Sequence, residues 1–302
     1  MKRIKHIGTV NDKEKDFLKL FDQLTYSRSG WQVWEDLMTV MACSICNAVD
    51  HRKEAFERRE KQYKRAIKAL GGVDIPAQML GIITMALEEN PNQDFLGKLY
   101  MNLNLGSHWH GQFFTPYHVC ELMAKMQIGE VCRSEIESKG YLSIGDMCIG
   151  AGAMLIAAAA AFRECNVNYQ TSVVFAGQDI DPVVAKMAYI QLLLLGCPGY
   201  ITVGDSLANP QTGHILFPQE KEGQELWIMP MFKHQIWEMR RMTMLIRNLF
   251  GGIGTTVKTM EKERYFMFFN FNEQEESYEN GDSTFYRSTG NPAFCGGEGK
   301  QK

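Results

Sequence analysis

Two short segments of this chain carry residue types suited to holding a nucleotide-like ligand. The segment Asp146–Gly152 reads Asp-Met-Cys-Ile-Gly-Ala-Gly, and it follows Tyr141–Ile144, an apolar run typical of a buried strand. The glycines at 150 and 152 allow a tight backbone turn, and the apolar stretch Met154–Phe162 predicts a helix directly after it. A strand, a glycine turn and a helix in this order place a ligand at the carboxyl end of the strand, against the N-terminus of the helix.

Three successive predicted strands each end in a carboxylate, namely Asp146, Asp179 and Asp205. The carboxyl ends of parallel strands share one edge of a sheet, so these side chains are expected in one crevice. A carboxylate after the second strand suits a ribose, since it can accept hydrogen bonds from both hydroxyls. One after the third strand suits the amino group of an adenine, and one beside the glycine turn suits an ammonium group. The pattern therefore predicts an adenosine ligand with a positive amino end. A dinucleotide is disfavoured, because Leu155 stands where a third glycine is needed.

Together with a second motif, Gly111–Pro116 (Gly-Gln-Phe-Phe-Thr-Pro), these segments resemble motifs of the adenine-N6 DNA methyltransferases that form the modification subunit of type I restriction–modification systems. Five segments, in the order of that family, carry the resemblance: Asp94–Tyr100, Gly111–Pro116, Asp146–Gly152, Gly177–Pro182 and Gly204–Leu207. Two positions depart from the family pattern, with Met147 in place of Pro and Asp179 in place of Glu. The resemblance implies S-adenosylmethionine as the cofactor and DNA as a partner.

The resemblance also implies roles for individual residues. Asp179 would hold the ribose of the cofactor, Asp205 would hold its adenine, and the methionine end would meet Asp146 and its neighbours. The residues expected to bind the cofactor are Phe114, Thr115, Pro116, Asp146, Gly150, Gly152, Asp179 and Asp205. No metal site is expected, because Cys43 and Cys46 lie in a helical pattern without a second pair of ligands.

The catalytic motif of the family, Asn-Pro-Pro followed by Phe or Tyr, is not intact in this chain. In the family mechanism the Asn side chain and a Pro carbonyl accept hydrogens from N6 of an adenine flipped out of the duplex. Met229–Phe232 follows the predicted fourth strand, so Met229, Pro230 and Phe232 are predicted to form a degenerate catalytic slot, in which the methionine sulfur is a poor acceptor. A second remnant, Asn291–Phe294, lacks a preceding strand, and we expect it to be disordered or distant from the cofactor pocket.

Two functions follow from these motifs. The first is an active DNA adenine-N6 methyltransferase that works through an unusual motif or with a partner, such as a specificity-type subunit or a second copy of the chain. The second is a non-catalytic protein that binds S-adenosylmethionine and either DNA or a partner, with a regulatory or counter-restriction role in a mobile element.

Composition indicates a globular protein without a membrane span. Apolar residues make up 45% of the 302 residues and charged residues 22%. No apolar run approaches the ~18 residues that a membrane helix needs. Eight cysteines without regular spacing indicate reduced thiols and a cytoplasmic location. The net charge of −3 gives no global attraction to nucleic acid; the basic run His51–Lys68 could lie along phosphates or form a solvated helix face.

Hydrophobic periodicity predicts an α/β fold, with a doubly wound sheet preceded by an all-helical domain. The resemblance implies that this sheet is the Rossmann-like sheet of the methyltransferases. The helical domain is expected over residues 1–105, the methyltransferase-like domain over 106–272 and a mobile tail over 273–302. The three strands that alternate with helices are predicted to be parallel. A fourth strand is predicted at Glu225–Met229 and a terminal strand at Arg264–Phe271.

Overall fold

The computed structural model describes residues 11–105, 113–128, 136–137, 140–250 and 266–267. Its helices are α1 (Asp12–Leu24), α2 (Gly30–Val49), α3 (Lys53–Leu70), α4 (Asp74–Glu89), α5 (Phe95–Asn102), α6 (Tyr117–Gln127), α7 (Ala153–Glu164), α8 (Tyr169–Ser172), α9 (Pro182–Leu194) and α10 (Gln235–Phe250). Its strands are β1 (Leu142–Asp146), β2 (Val173–Asp179), β3 (Gly199–Val203), β4 (Glu225–Ile228) and β5 (Phe266–Met267). The predicted order, helices first and then alternating strands and helices, is confirmed. The segments 251–265 and 268–302 lie outside the described residues.

Local signals in the sequence fix several helix ends. Asn11 and Glu14 form a capping box at the start of α1. The Ser29 side chain accepts a hydrogen bond from Gln32 N at the start of α2. Helix α3 ends at Gly71, which adopts a left-handed conformation that costs glycine little. These ends set the lengths of the helices that pack beside the sheet.

The sheet has the strand order β4-β3-β2-β1-β5. Strands β1, β2 and β3 are parallel neighbours, and β5 pairs in parallel with the free side of β1. The chain thus builds one side of the sheet through β2 and β3 and later returns to the other side of β1. In open α/β sheets ligands bind at such a reversal, outside the carboxyl ends of the strands.

Strand β4, predicted as a fourth strand without a direction, is antiparallel to β3. Its register places Ile228 opposite Tyr200 and Glu225 opposite Val203. A parallel crossover needs a long connection, usually a helix, whereas residues 204–224 form turns and loops. The chain therefore folds back along β3 instead of crossing the sheet.

Apolar residues cover both faces of the sheet. On one face α7 and α9 pack against Ile144, Phe175 and Ile201, in a core that also contains the N-terminal helices. On the other face α10 contributes Trp237 to a smaller cluster with Tyr200. Helices on both faces agree with the predicted doubly wound architecture.

One continuous core joins the N-terminal helices to the α/β part. Helix α2 packs on α9, and the Trp34 indole N–H donates to the sulfur of Met187 at 3.4 Å. Trp34 is completely buried, as is Phe17 on α1. The division at residue 105 stays a prediction, since buried residues on both of its sides belong to the same cluster. Among the described helices, none is by itself long and apolar enough to cross a membrane.

Candidate functional site

The carboxyl ends of β1, β2 and β3 form one edge of the sheet. Asp146 is the last residue of β1 and pairs with Gly177, while Asp179 is the last residue of β2 and pairs with Val203. The next residue after the end of β3, Gly204, donates its N–H to the Asp179 carbonyl at 2.8 Å. The structure therefore brings Asp146, Asp179 and Asp205 to one edge, as the sequence predicts.

The Asp179 carboxylate is held by the backbone around it. Its Oδ2 accepts a hydrogen bond from Gly150 N at 2.8 Å, and its Oδ1 accepts one from Asp181 N at 2.9 Å. Burial raises the pKa of Asp179 above its ordinary value, against the lowering effect of these hydrogen bonds. Each carboxylate oxygen has a second lone pair, so the fixed carboxylate can still accept bonds from two neighbouring hydroxyl groups.

The glycine turn depends on both of its glycines. Gly150 has φ 53° and Gly152 has φ 95°, in the left-handed region that side chains disfavour. A Cβ on residue 152 would also lie 3.2 Å from the backbone Cα of Ala188 on α9. A close helix contact and a tight turn therefore both require glycine here.

Asp146 is a buried carboxylate beside this turn. Its side chain accepts a hydrogen bond from Cys148 N at 3.0 Å, and the residue is only 6% exposed. Burial raises the pKa of Asp146 to about 6, and the nearby charge of Asp179 adds to the shift. A cationic ligand group would relieve the cost of the buried charge.

Asp205 has the opposite electrostatic setting. Its Oδ1 accepts hydrogen bonds from Ala208 N at 3.0 Å and Leu207 N at 2.8 Å. These backbone bonds lower the pKa of Asp205 below its ordinary value. Asp205 is therefore ionised at neutral pH and available as a hydrogen-bond acceptor.

The second predicted motif lies against the glycine turn. The Phe114 ring is 3.3 Å from the position that a Cβ on Gly150 would take, and it stacks on Tyr100 with ring centroids 5.4 Å apart. Thr115 and Pro116 are exposed directly before α6, and the Cys120 thiol donates to the Thr115 carbonyl at 3.8 Å. The motif thus borders the glycine turn at Gly150. Gly111 and Gln112 lie outside the described residues.

Large apolar side chains border the same edge and are exposed to solvent. Phe113 is 84% exposed, Ile180 after β2 is 66% exposed, and Leu207 after β3 is 88% exposed. Sequence reasoning missed them, although Ile180 directly follows a strand-end carboxylate. Exposed apolar groups beside fixed polar ones suit a ligand with a flat apolar ring.

The predicted catalytic slot at Met229, Pro230 and Phe232 lies away from the three strand-end carboxylates. Because β4 is antiparallel, its end lies at the amino edge of the parallel strands, where Met229 N donates to Gly199 O at 3.0 Å. Met229 is completely buried, Pro230 begins a 3-10 helix, and the Phe232 ring packs against Tyr200. Met229 and Phe232 are part of the core at the edge of the sheet away from the carboxylates. The other remnant, Asn291–Phe294, lies outside the described residues.

Cys148 is the exposed thiol of the glycine turn. It lies between Asp146 and the loop after β3, where Ser206 contacts it. Desolvation raises the pKa of the Cys148 thiol, so it is mostly protonated at neutral pH. Among the described residues no group of three or more His, Cys, Asp or Glu side chains is arranged to hold a metal ion.

Part of the basic run on α3 is engaged in ion pairs. Arg59 is buried and pairs with Asp50 at 3.1 Å, while Arg58 pairs with Glu220 at 2.9 Å. The exposed basic residues of α3 include Lys61, Arg65 and Lys68. The run is therefore divided between structural pairs at its start and a solvated face at its end.

Comparison with known proteins gives one family. The protein family described as N-6 DNA Methylase matches residues 93–276. Comparison with curated proteins gave no match. Among solved structures, the chain is similar to the type I restriction-modification system methyltransferase subunit from Streptococcus thermophilus, with 14% identity over 61% of this chain and a TM-score of 0.29. The match spans 55% of that subunit.

Proposed function

Since the chain belongs to the N-6 DNA methylase family, we propose that it binds S-adenosylmethionine at the carboxyl edge of its sheet. The observation that carries the proposal is the meeting of three strand-end carboxylates with a glycine turn at one edge. The chemistry of these groups suits an adenosine with a cationic amino-acid end. Their order from β1 to β3 follows the order of ammonium group, ribose and adenine in such a ligand.

The residues of the site fit the parts of this cofactor. Asp179 would accept hydrogen bonds from the ribose hydroxyls, and Asp205 would accept one from the adenine amino group. Asp146 would face the ammonium group, with Phe114, Thr115 and Pro116 along the same end and Gly150 and Gly152 shaping the turn. The exposed apolar side chains of Ile180 and Leu207 would cover the purine. When bound, the cofactor supplies a methyl group on a sulfonium centre.

Cys148 provides a direct test of where the cofactor binds. A ligand in this crevice buries most of its surface, so saturating S-adenosylmethionine should slow alkylation of Cys148 by N-ethylmaleimide at pH 8 several-fold. Peptide mass spectrometry separates this thiol from the partly exposed Cys165, which serves as the internal control. Methionine alone should protect neither thiol. Ligand binding that leaves the Cys148 rate unchanged would place the cofactor elsewhere.

We further propose methyl transfer to adenine N6 in DNA as the reaction, with DNA as the macromolecular partner. A flipped adenine would have to approach the methyl donor at the carboxyl edge, where β5 rather than β4 extends the sheet beyond β1. The exposed basic residues of α3 supply part of the positive charge that a phosphate backbone requires. A specificity-type subunit or a second copy of the chain would supply further contacts.

A second candidate is a protein of this family that binds the cofactor and DNA or a partner without transferring the methyl group. It is favoured by one observation, that the sequence contains no Pro-Pro pair and hence no intact family motif. Met229 gives this second candidate no support, because it lies away from the carboxylates. Gain of N6-methyladenine in DNA from cells that express the protein separates the two candidates.

A further inference from the structure

The side chain of Gln178 on β2 is bonded to the loop that follows β3. It is completely buried, one residue before Asp179. Its amide nitrogen donates to Asn209 O at 2.9 Å and to Gly204 O at 3.2 Å, and its amide oxygen accepts from Gln211 N at 2.8 Å. Both amide hydrogens and the oxygen are thus used on the backbone of one loop.

That loop is the one that carries Asp205. Its turn closes where Asn209 N donates to Asp205 O at 2.9 Å. Gln178 binds the carbonyl just before Asp205 and the carbonyl at the end of the turn, so it holds both ends. Gln224 donates a second bond to Asn209 O at 2.7 Å. The position of the Asp205 carboxylate is therefore set from β2.

The main chain of Gln178 also supports the glycine turn, since its carbonyl accepts a hydrogen bond from Ile149 N at 3.0 Å. The main-chain bond would survive most substitutions, whereas the three side-chain bonds would not. Loss of the side chain would leave Gly204 O and Gln211 N without the partners they have here, while Asn209 O would keep its bond from Gln224. The loop would shift to satisfy the two unpaired groups. A substitution at this position thus acts on the Asp205 side of the crevice.

We propose that Gln178 is a positioning residue that makes the site select adenine over hypoxanthine, an inference that rests on the proposed cofactor site. Adenine carries an amino donor at position 6, whereas hypoxanthine carries a carbonyl oxygen that a carboxylate repels. The distinction requires Asp205 to be held at one place. A freely moving Asp205 would accept from water and discriminate little between the two bases.

The test compares S-adenosylhomocysteine with its deaminated counterpart, S-inosylhomocysteine, by calorimetry. The wild type is expected to prefer the adenine ligand by about tenfold or more. In Gln178→Leu the preference should fall to about twofold or less, because the three bonds are lost. Gln178→Glu keeps the size of the side chain and its bond to Gln211 N but repels both carbonyls, and the same loss is expected at pH 8.

Gln191→Leu is the matched control. Gln191 is also completely buried and makes three hydrogen bonds, to Asp94 Oδ1 at 2.8 Å, to Ala151 O at 2.9 Å and from Leu96 N at 3.0 Å. It supports the glycine turn rather than the Asp205 loop, so this variant should lose affinity for both ligands while keeping the wild-type preference.

Two results would overturn the inference. One is a wild-type preference in the Gln178 variants, provided that thermal unfolding shows them to be folded. The other is an equal loss of preference in Gln191→Leu, which would indicate a general effect of disturbing the core. A wild type that binds neither ligand would overturn the proposed function itself, and this inference with it.

Discussion

At the scale of single residues, the three carboxylates differ through their surroundings. Asp146 is buried and has a pKa of about 6, against an ordinary value of 3.8, while backbone hydrogen bonds keep the pKa of Asp205 low. In the protein without ligand, the ionised Asp146 destabilises the folded state at neutral pH. That destabilisation is relieved as the pH falls from about 6 toward 3.8. A buried, costly charge of this kind is suited to binding a cation.

Asp146 predicts a pH dependence of cofactor binding. The ionised form binds the ammonium group, so affinity for S-adenosylmethionine should fall as the pH drops through about 6, by about tenfold between pH 7.5 and 5. Calorimetry over this pH range measures the change in affinity. The matched ligand is 5′-methylthioadenosine, which lacks the ammonium group and so serves as the control. Asp146→Asn should bind S-adenosylmethionine weakly at every pH. A parallel loss of affinity for both ligands would contradict the role of Asp146.

At the scale of elements, the sequence predicts most of the fold. Apolar runs in the sequence locate β1, β2 and β3, and capping residues and glycines mark several helix ends. The strand-end carboxylates follow from this reading, because parallel strands bring their carboxyl ends together. Gln178 directly precedes one of these carboxylates, but the sequence does not predict its role. Its hydrogen bonds go to a loop that is far away in the sequence, and such bonds leave no local pattern.

The direction of β4 was not predicted. The run Glu225–Ile228 is apolar, and an apolar run has no direction. The signal lay in the connection, where Pro210, Gly213, Pro218 and Gly223 exclude a crossover helix. The free side of β1 is taken by β5, which follows α10 in the chain.

Because β5 pairs with β1, we expect the base-contacting residues of an active enzyme in the sequence after β5. The first side-chain amide there is Asn270. If the protein methylates DNA, Asn270→Ala should slow methyl transfer to adenine N6 by about 10²–10³-fold. Its affinity for the cofactor should stay unchanged. Asn291→Ala, in the tail remnant, is the matched control and should keep activity. If Asn291→Ala loses activity and Asn270→Ala keeps it, the catalytic motif is the remnant in the tail. If the wild type leaves DNA unmethylated, the non-catalytic candidate is favoured.

At the scale of the whole molecule, the family match begins at residue 93, but the core begins earlier. Trp34, Phe17 and Phe21 are completely buried in the same cluster as Met187 on α9. Lys186 reaches from α9 to the Thr39 hydroxyl on α2 at 3.2 Å. The N-terminal helices therefore cover one side of the sheet as an integral part of the fold.

A truncation tests this integration. A chain that begins at residue 93 loses α1 to α4 and exposes the apolar surface of α9, so it should show no cooperative thermal unfolding. Deletion of residues 285–302, from the predicted tail, is the comparison and should leave the unfolding temperature nearly unchanged. Cooperative unfolding of the chain that begins at residue 93 would instead support two independent domains divided near residue 105.

The central claim is that S-adenosylmethionine binds where β1, β2 and β3 end, and calorimetry on point variants tests it most directly. The wild type should bind, and Asp179→Ala and Asp205→Ala should each weaken binding by at least tenfold, about 1.4 kcal/mol. Asp74→Ala, on the exposed first turn of α4, should bind as the wild type does. Equal affinity in all four proteins, or no binding by the folded wild type, would contradict the account.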